Sequence, residues 1–144
     1  MNANIFSFPS STSLAVTGTA AMEYSASDQI ERLEQLEHSL RNSLSDACLR
    51  RWLEEYIDIG LELADTARTK HQHVLQESWL KRLFSFLRDT AFRQDCRPLC
   101  RHLCLEYLYQ PYFALRHVYQ SDSNGEQKMR RINKDLEVIA RYVL

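Results

Sequence analysis

Apolar residues recur at intervals of three and four along the chain after residue 25, which is the spacing of one face of an α-helix. The first stripe is narrow, like a coiled-coil seam, and predicts a helix that docks along one neighbour or along another copy of itself. Its members are Ile30, Leu33, Leu36 (or Glu37 in a strict register), Leu40 and Leu44. Wider apolar faces follow over residues 47–64, 71–92, 98–119 and 126–144.

Polar residues and helix breakers separate these stretches. Asn42, Ser43 and Ser45 interrupt the first stripe, so residues 28–68 form either one long helix or two. Ser45 with Asp46 is a candidate cap for a second helix, and Asp95 is a candidate cap for the helix that carries Pro98 in its first turn. Residues 121–125 (SDSNG) form the clearest loop.

Proline and glycine content points to the same class of fold. The chain has only three glycines and three prolines in 144 residues, and many short strands would need more of both at their turns. Pro111 predicts a kink or break within the fourth helix, because proline removes a backbone donor and clashes with the preceding turn. Short loops make sequential helices antiparallel. We therefore predict an all-α antiparallel bundle of four to five helices, forming one domain over residues 25–144.

Charge is balanced overall but uneven along the chain. The formal net charge is −1, so no global field draws the protein to nucleic acid or to an anionic membrane. Residues 28–65 carry ten acids against four bases, whereas residues 66–120 carry nine bases against four acids. This asymmetry indicates acidic and basic helices packed side by side, or else a basic face that binds an acidic partner.

Residues 1–22 (MNANIFSFPSSTSLAVTGTAAM) contain no charged side chain and show neither helical nor alternating periodicity. They lack the basic start and unbroken apolar centre of a secretory signal peptide. We expect residues 1–24 to form a disordered tail. No apolar run reaches the roughly 18 residues of a membrane span, so we expect a cytoplasmic protein without one.

The composition of this N-terminal stretch resembles that of the substrates of the bacterial type III secretion apparatus. It is uncharged, rich in Ser, Thr and Asn, and devoid of periodicity. The resemblance covers only the start of the chain and rests on composition alone. It implies a protein that is linked to secretion and that could leave the cell by a route independent of a signal peptide.

Three of the four cysteines, Cys96, Cys100 and Cys104, repeat at four-residue intervals and can share one helix face. Neighbouring thiolates of this kind can hold a soft metal or support redox chemistry. Zinc motifs, however, usually pair their ligands through two to four residues on turns, and Cys100 and Cys104 interleave with core positions. Core packing is therefore the expectation, and a metal or redox site using these three residues is the alternative.

Other chemistry has little support in the sequence. The residues His71 and His73 stand two apart at a helix start, where both are expected to be solvated. Two basic groups could present phosphate-binding edges if they converged, but solvated helix faces are the simpler interpretation: Arg93, Arg97 and Arg101, and then Lys128, Arg130, Arg131 and Lys134. Gly-rich phosphate loops and metalloenzyme motifs are absent from the sequence. We expect no catalytic residues, no cofactor, no metal and no nucleic-acid partner.

Aromatic residues crowd around Pro111, and too many are present for one side of a helix. Those that are exposed near the kink are good partner anchors, and the alternative is that the kinked helix fills a wide core with them. We therefore predict a non-enzymatic interaction protein, such as a regulator, adaptor or secretion-linked chaperone. It would bind a protein partner, or a second copy of itself, by docking a helix face. The expected partner-binding residues are Leu33, Leu36 and Leu40 on the seam, and Tyr109, Tyr112 and Phe113 near the proline.

Overall fold

The computed structural model describes residues 26–143, with side chains described for residues 26–141. Within that range the chain forms five helices and no strand. Helix α1 covers residues 26–42, α2 Leu49–Thr69, α3 His73–Ala91, α4 Pro98–Tyr119 and α5 Gly125–Val143. The predicted all-α class is confirmed, while the tail predicted over residues 1–24 lies outside the described residues.

Successive helices run in opposite directions, as their short connections require. On α2 and α3, Tyr56 packs on Phe86 with ring centroids 4.9 Å apart, while Gly60 lies against Leu83, so residue numbers rise on one helix as they fall on the other. Helices α2, α3 and α4 all pack on one another, and α5 packs on α4. No helix in the described range is both long and apolar enough to cross a membrane.

A buried carboxylate joins the first three helices. Glu37 of α1 is only 7% exposed. One of its oxygens accepts hydrogen bonds from the Tyr56 hydroxyl of α2 (2.8 Å) and from Nε of Arg82 of α3 (3.0 Å). The other accepts from Nη2 of Arg82 at 2.7 Å. A buried charge is tolerated only when it is paired and hydrogen-bonded, so these contacts fix how α1 sits on α2 and α3.

The chain between residues 42 and 49 leaves the helical path, which decides that residues 28–68 form two helices. The sequence predicted that Ser45 and Asp95 cap helices, but neither does. Ser45 Oγ accepts the amide of Ala47 (3.1 Å) within the connecting turn, and α2 begins only at Leu49. Asp95 pairs with Arg93 instead of capping α4. Side-chain oxygens in these turns find nearer partners than the helix amides.

Helix α4 contains Pro111 without a break, so a single helix runs from Pro98 to Tyr119. The missing donor costs one hydrogen bond of the helix. Pro111 is buried, and the flanking Leu108 and Leu115 lie in the core. Burial of these apolar neighbours favours a continuous helix on both sides of the proline. The expected loop at residues 121–125 is confirmed over residues 120–124.

Replacement of Arg82 with methionine should strongly destabilise the fold, because it leaves the Glu37 carboxylate buried and without its cationic partner. We expect the free energy of unfolding to fall by about 3–5 kcal/mol in a urea titration. Arg88→Met is the matched control on the same helix. It breaks ion pairs to the more exposed Asp89 and Asp135 and should cost less than about 1 kcal/mol. Equal losses for the two variants would contradict the role given to Glu37.

Replacement of Gly60 with alanine should also destabilise the protein. The added methyl carbon would lie 2.3 Å from Cδ2 and 2.8 Å from Cγ of Leu83, whose side chain is fully buried and cannot move into solvent. Overpacking costs about 1–3 kcal/mol, against a gain of about 1 kcal/mol in helix propensity. In thermal or urea unfolding, Gly60→Ala/Leu83→Ala should lose less stability than the sum of the two single variants. Additive losses would show that the two sites are not in contact.

Candidate functional site

Three aromatic side chains of α4 form a cluster at the surface, two of them exposed and Tyr112 half-buried, which we call the aromatic ridge: Tyr109, Tyr112 and Phe113. Tyr109 and Phe113 are each 55% exposed, and their rings stack with centroids 6.2 Å apart and planes inclined by 28°. Tyr112 meets both rings edge-on, at 6.5 Å and 5.2 Å. Spacings of three and four along a helix place these rings on adjoining positions.

The aromatic ridge is anchored at its inner edge. The Tyr112 hydroxyl donates a 2.8 Å hydrogen bond to Oδ1 of Asn133 on α5. Next to it, a groove of about 680 Å³ runs between the second half of α4 and the first half of α5, and Tyr112, Arg116 and Met129 are among its lining residues. Asn133 could not be recognised from the sequence, because its pairing with Tyr112 depends on how α5 folds back onto α4.

Arg116 lies one turn beyond Phe113 and is exposed. Within the described part of the chain it forms no ion pair, in contrast to Arg32, Arg50, Arg82 and Arg88. The ridge therefore combines an apolar surface with one cation available to a partner. This combination suits an apolar segment that also carries a carboxylate.

The predicted seam is not a surface. Leu33, Leu36 and Leu40 are buried in the common core with residues of α2, α3 and α4. The prediction that these three leucines bind a partner is therefore wrong. Helix α1 packs on the other helices of its own chain, because its narrow apolar face needs a neighbour and the bundle supplies one. Leu44, also assigned to the stripe, lies beyond the end of α1 and is almost fully exposed.

The cysteine row lies at the beginning of α4. Cys96 precedes the helix and is half-buried, Cys100 is in the first turn and buried, and Cys104 is fully buried in the core. All are free thiols. Among the residues that the structure describes, no three Cys, His, Asp or Glu side chains are placed to hold a metal ion, so the metal alternative gains no ligand set.

A cavity of about 280 Å³ opens beside this row, where the connector after α1, the end of α3 and the start of α4 meet. Cys96 and Cys100 line it together with Arg93 and Arg97. A hydrogen bond from the Cys104 thiol lowers the pKa of Cys100 to about 6, against the effect of burial. The neighbouring Cys96 and the charges of Arg97 and Arg93 lower the pKa of Cys100 further. The Cys96 thiol itself donates to the backbone carbonyl of Arg97, with 3.6 Å between Sγ and the oxygen.

The other two thiols are shifted the opposite way. Burial, and then the negative charge on Cys100, raise the pKa of Cys96 to about 11. The hydrogen bond that Cys104 donates to Cys100, together with burial, raises the pKa of Cys104 far above its usual range. The row thus contains one stabilised thiolate between two thiols that hold their protons. The sequence feature that indicates this thiolate is the overlap of the cysteine row with the row of Arg93, Arg97 and Arg101, which has the same four-residue spacing.

The arginine row does not form a basic edge for phosphate. Arg93 donates to the backbone carbonyl of Arg41 at 3.0 Å and pairs with Asp95 at 2.9 Å. Arg97 pairs with Asp46, and Arg101 donates to the carbonyl of Ala91 at 2.9 Å. These contacts tie the start of α4 to the end of α1, the connector and α3. In the second basic group, Lys128 pairs with Glu77 and Asp122.

Both histidines at the start of α3 are exposed, as expected, and their rings lie 6.4 Å apart.

Comparison with known proteins adds no function to this geometry. No protein-family model, no curated protein and no solved structure matches the chain.

Alkylation by iodoacetamide should distinguish Cys100 from its neighbours, because the thiolate is the nucleophile. In the folded chain the rate at Cys100 should rise through about pH 6 and level off near neutrality, while the rate at Cys96 should still rise through pH 9–10. A lowered pKa in the folded state also means that the ionised thiol stabilises the fold above the ordinary thiol pKa, and that this contribution disappears as the pH falls through about 6.

Peptide mass spectrometry with fragmentation can assign each alkylated sulfur. In denaturant the four thiols should share an ordinary pKa of about 8.5, which provides the control. A folded chain in which Cys100 reacts no faster than Cys96 at pH 7 would contradict the assignment of the thiolate.

Proposed function

We propose that this chain is a non-enzymatic helical interaction protein that binds a protein partner through the aromatic ridge of α4. The observation that carries the proposal is the exposed, stacked pair of Tyr109 and Phe113, held in place by Tyr112 and Asn133. Aromatic side chains contribute disproportionately to protein interfaces. Rings already fixed in position lose little entropy on binding.

The surroundings of the ridge favour one kind of partner. The rings offer an apolar surface, Arg116 offers a cation, and the neighbouring groove between α4 and α5 can receive side chains from a docked segment. An amphipathic helix with a carboxylate beside its apolar face has the chemistry to match all three. Such docking is the mode of action expected of a regulator, adaptor or chaperone.

A link to bacterial type III secretion, with action in the cytoplasm or export independent of a signal peptide, belongs to the same proposal. Its support is the uncharged, Ser- and Thr-rich composition of residues 1–22. Capture of a type III secretion component by the ridge would support the link. A ridge-dependent partner unrelated to secretion would count against it.

The test is affinity capture with the full-length chain, compared among three forms. Tyr109→Ser/Phe113→Ser removes the two exposed rings, and Val74→Ser removes a largely exposed apolar side chain from the start of α3 as a matched control. We expect a protein that wild type and Val74→Ser retain and the double variant loses. With that protein purified, the loss of the two rings should weaken the Kd by about 30-fold or more, corresponding to at least about 2 kcal/mol.

Both ridge residues are more than half exposed, so the double variant should keep its helical circular dichroism and urea midpoint, and a failure to bind would not reflect unfolding. Identical sets of retained proteins for the three forms would overturn the proposal. Sedimentation of the wild type over a range of concentrations tests whether the ridge instead binds a second copy of the chain. If the wild type forms a dimer and the double variant does not, the partner of the ridge is another copy of this chain.

A further inference from the structure

The cavity at the start of α4 brings together three features of a reactive cysteine site. It admits a small molecule, since its volume is about 280 Å³. Cys100 and Cys96 both line its wall, together with Arg93, which is paired with Asp95 of the same wall, and Arg97, which is paired with Asp46. Cys100 also lies in the first turn of α4, two residues after Pro98, where unpaired backbone amides favour a negative charge. Cations and a helix N-terminus are the surroundings in which a thiol becomes a nucleophile at neutral pH.

The two thiols are placed unequally. Cys100 is fixed within the helix and only 8% exposed, so a bulky reagent cannot reach it except through the cavity. Cys96 lies on the connector before the helix, where the backbone is not constrained by helical hydrogen bonds on both sides. The third thiol, Cys104, is fully buried behind Cys100 and does not line the cavity. Cys96 is therefore the thiol that can move onto an oxidised Cys100.

We propose that Cys100 and Cys96 form a peroxide-reactive thiol pair, in which Cys100 attacks a small hydroperoxide inside the arginine-lined cavity and Cys96 then closes a disulfide with it. The proposal is independent of the aromatic ridge, which uses other residues of α4. It assigns hydrogen peroxide or a small organic hydroperoxide as the oxidant.

The chemistry balances in two steps. The Cys100 thiolate attacks the terminal oxygen of the hydroperoxide, so that an S–O bond forms, the O–O bond breaks and the departing alkoxide or hydroxide takes a proton from water. Sulfur loses two electrons and the peroxide gains them. The Cys96 sulfur then attacks the Cys100 sulfenic acid: an S–S bond forms, the S–O bond breaks, and the leaving hydroxide combines with the Cys96 proton as water.

The electrostatics favour this order of events. While Cys100 is a thiolate, its charge helps to keep the neighbouring thiol protonated, since burial and then that charge raise the pKa of Cys96. A sulfenic acid is neutral, so oxidation of Cys100 removes this effect and makes Cys96 easier to ionise. Cys96 is thus a poor first target and a better second nucleophile.

The test is peroxide treatment of the reduced full-length chain followed by tryptic peptide mapping. Trypsin does not cut the Arg97–Pro98 bond, so Cys96 and Cys100 share the peptide of residues 94–101, while Cys104 lies in the next one. We expect the 94–101 peptide to become lighter by two hydrogen atoms. A disulfide to Cys104 would instead link two peptides, and that product would overturn the assignment of Cys96.

Single substitutions separate the two roles. Cys96→Ser should stop the reaction at a Cys100 sulfenic acid that dimedone traps, whereas Cys100→Ser should slow peroxide consumption at least about tenfold and give no intramolecular disulfide. Cys48→Ser is the matched control, because Cys48 is also half-buried and lies outside the cavity, and it should react like wild type. Circular dichroism and a urea midpoint establish that each variant is folded. Two results would overturn the proposal. One is that peroxide oxidises the folded wild type no faster than the denatured wild type, and the other is that peroxide oxidises Cys48 as fast as Cys100.

Discussion

The arrangement of the first three helices depends on one buried carboxylate. Glu37 interrupts an otherwise apolar stripe, and its two oxygens accept three hydrogen bonds from the hydroxyl of Tyr56 and the guanidinium of Arg82. Leucine side chains alone would let α1 slide or rotate on its neighbours at little cost, since apolar contact is not directional. A carboxylate out of water is satisfied in only one position, so it sets the register of α1 on α2 and α3.

The fixed register has consequences for the rest of the bundle. With α1 laid along α2 and α3, the connector after α1 reaches the start of α4, where Asp46 pairs with Arg97 and the Arg41 carbonyl accepts from Arg93. These contacts close one end of the bundle around the cysteine cavity. Together with the pairing of Glu34 and Glu37 with Arg82, the Asp46–Arg97 pair places acids of the first half of the chain against arginines of the second.

Helix α4 carries both of the surfaces to which we assign a function, at different places along its length. Its first turn holds Cys100 beside the arginines, and the turns around Pro111 hold the aromatic ridge, whose Tyr109 and Phe113 rings face away from the core while Tyr112 packs against it. The helix is apolar and aromatic enough to fill the core and still leave rings in solvent. The cavity suits a small reactant and the ridge a protein segment, so the two can act without competing for the same space.

Local sequence determined the class of fold and most of the element boundaries. The three-and-four spacing of apolar residues, the scarcity of glycine and proline, and the SDSNG loop are local signals, and they predicted the helices because helix formation and turn formation depend on neighbouring residues. The exposure of Tyr109 and Phe113 was also foreseeable, since one helix face cannot bury so many rings. Only the tertiary structure decided that Leu33, Leu36 and Leu40 are core, that Arg93, Arg97 and Arg101 serve as internal ties, and that Cys100 faces a cavity. Each of these depends on which distant residues a face meets, and the spacing along one helix contains no information about its neighbours.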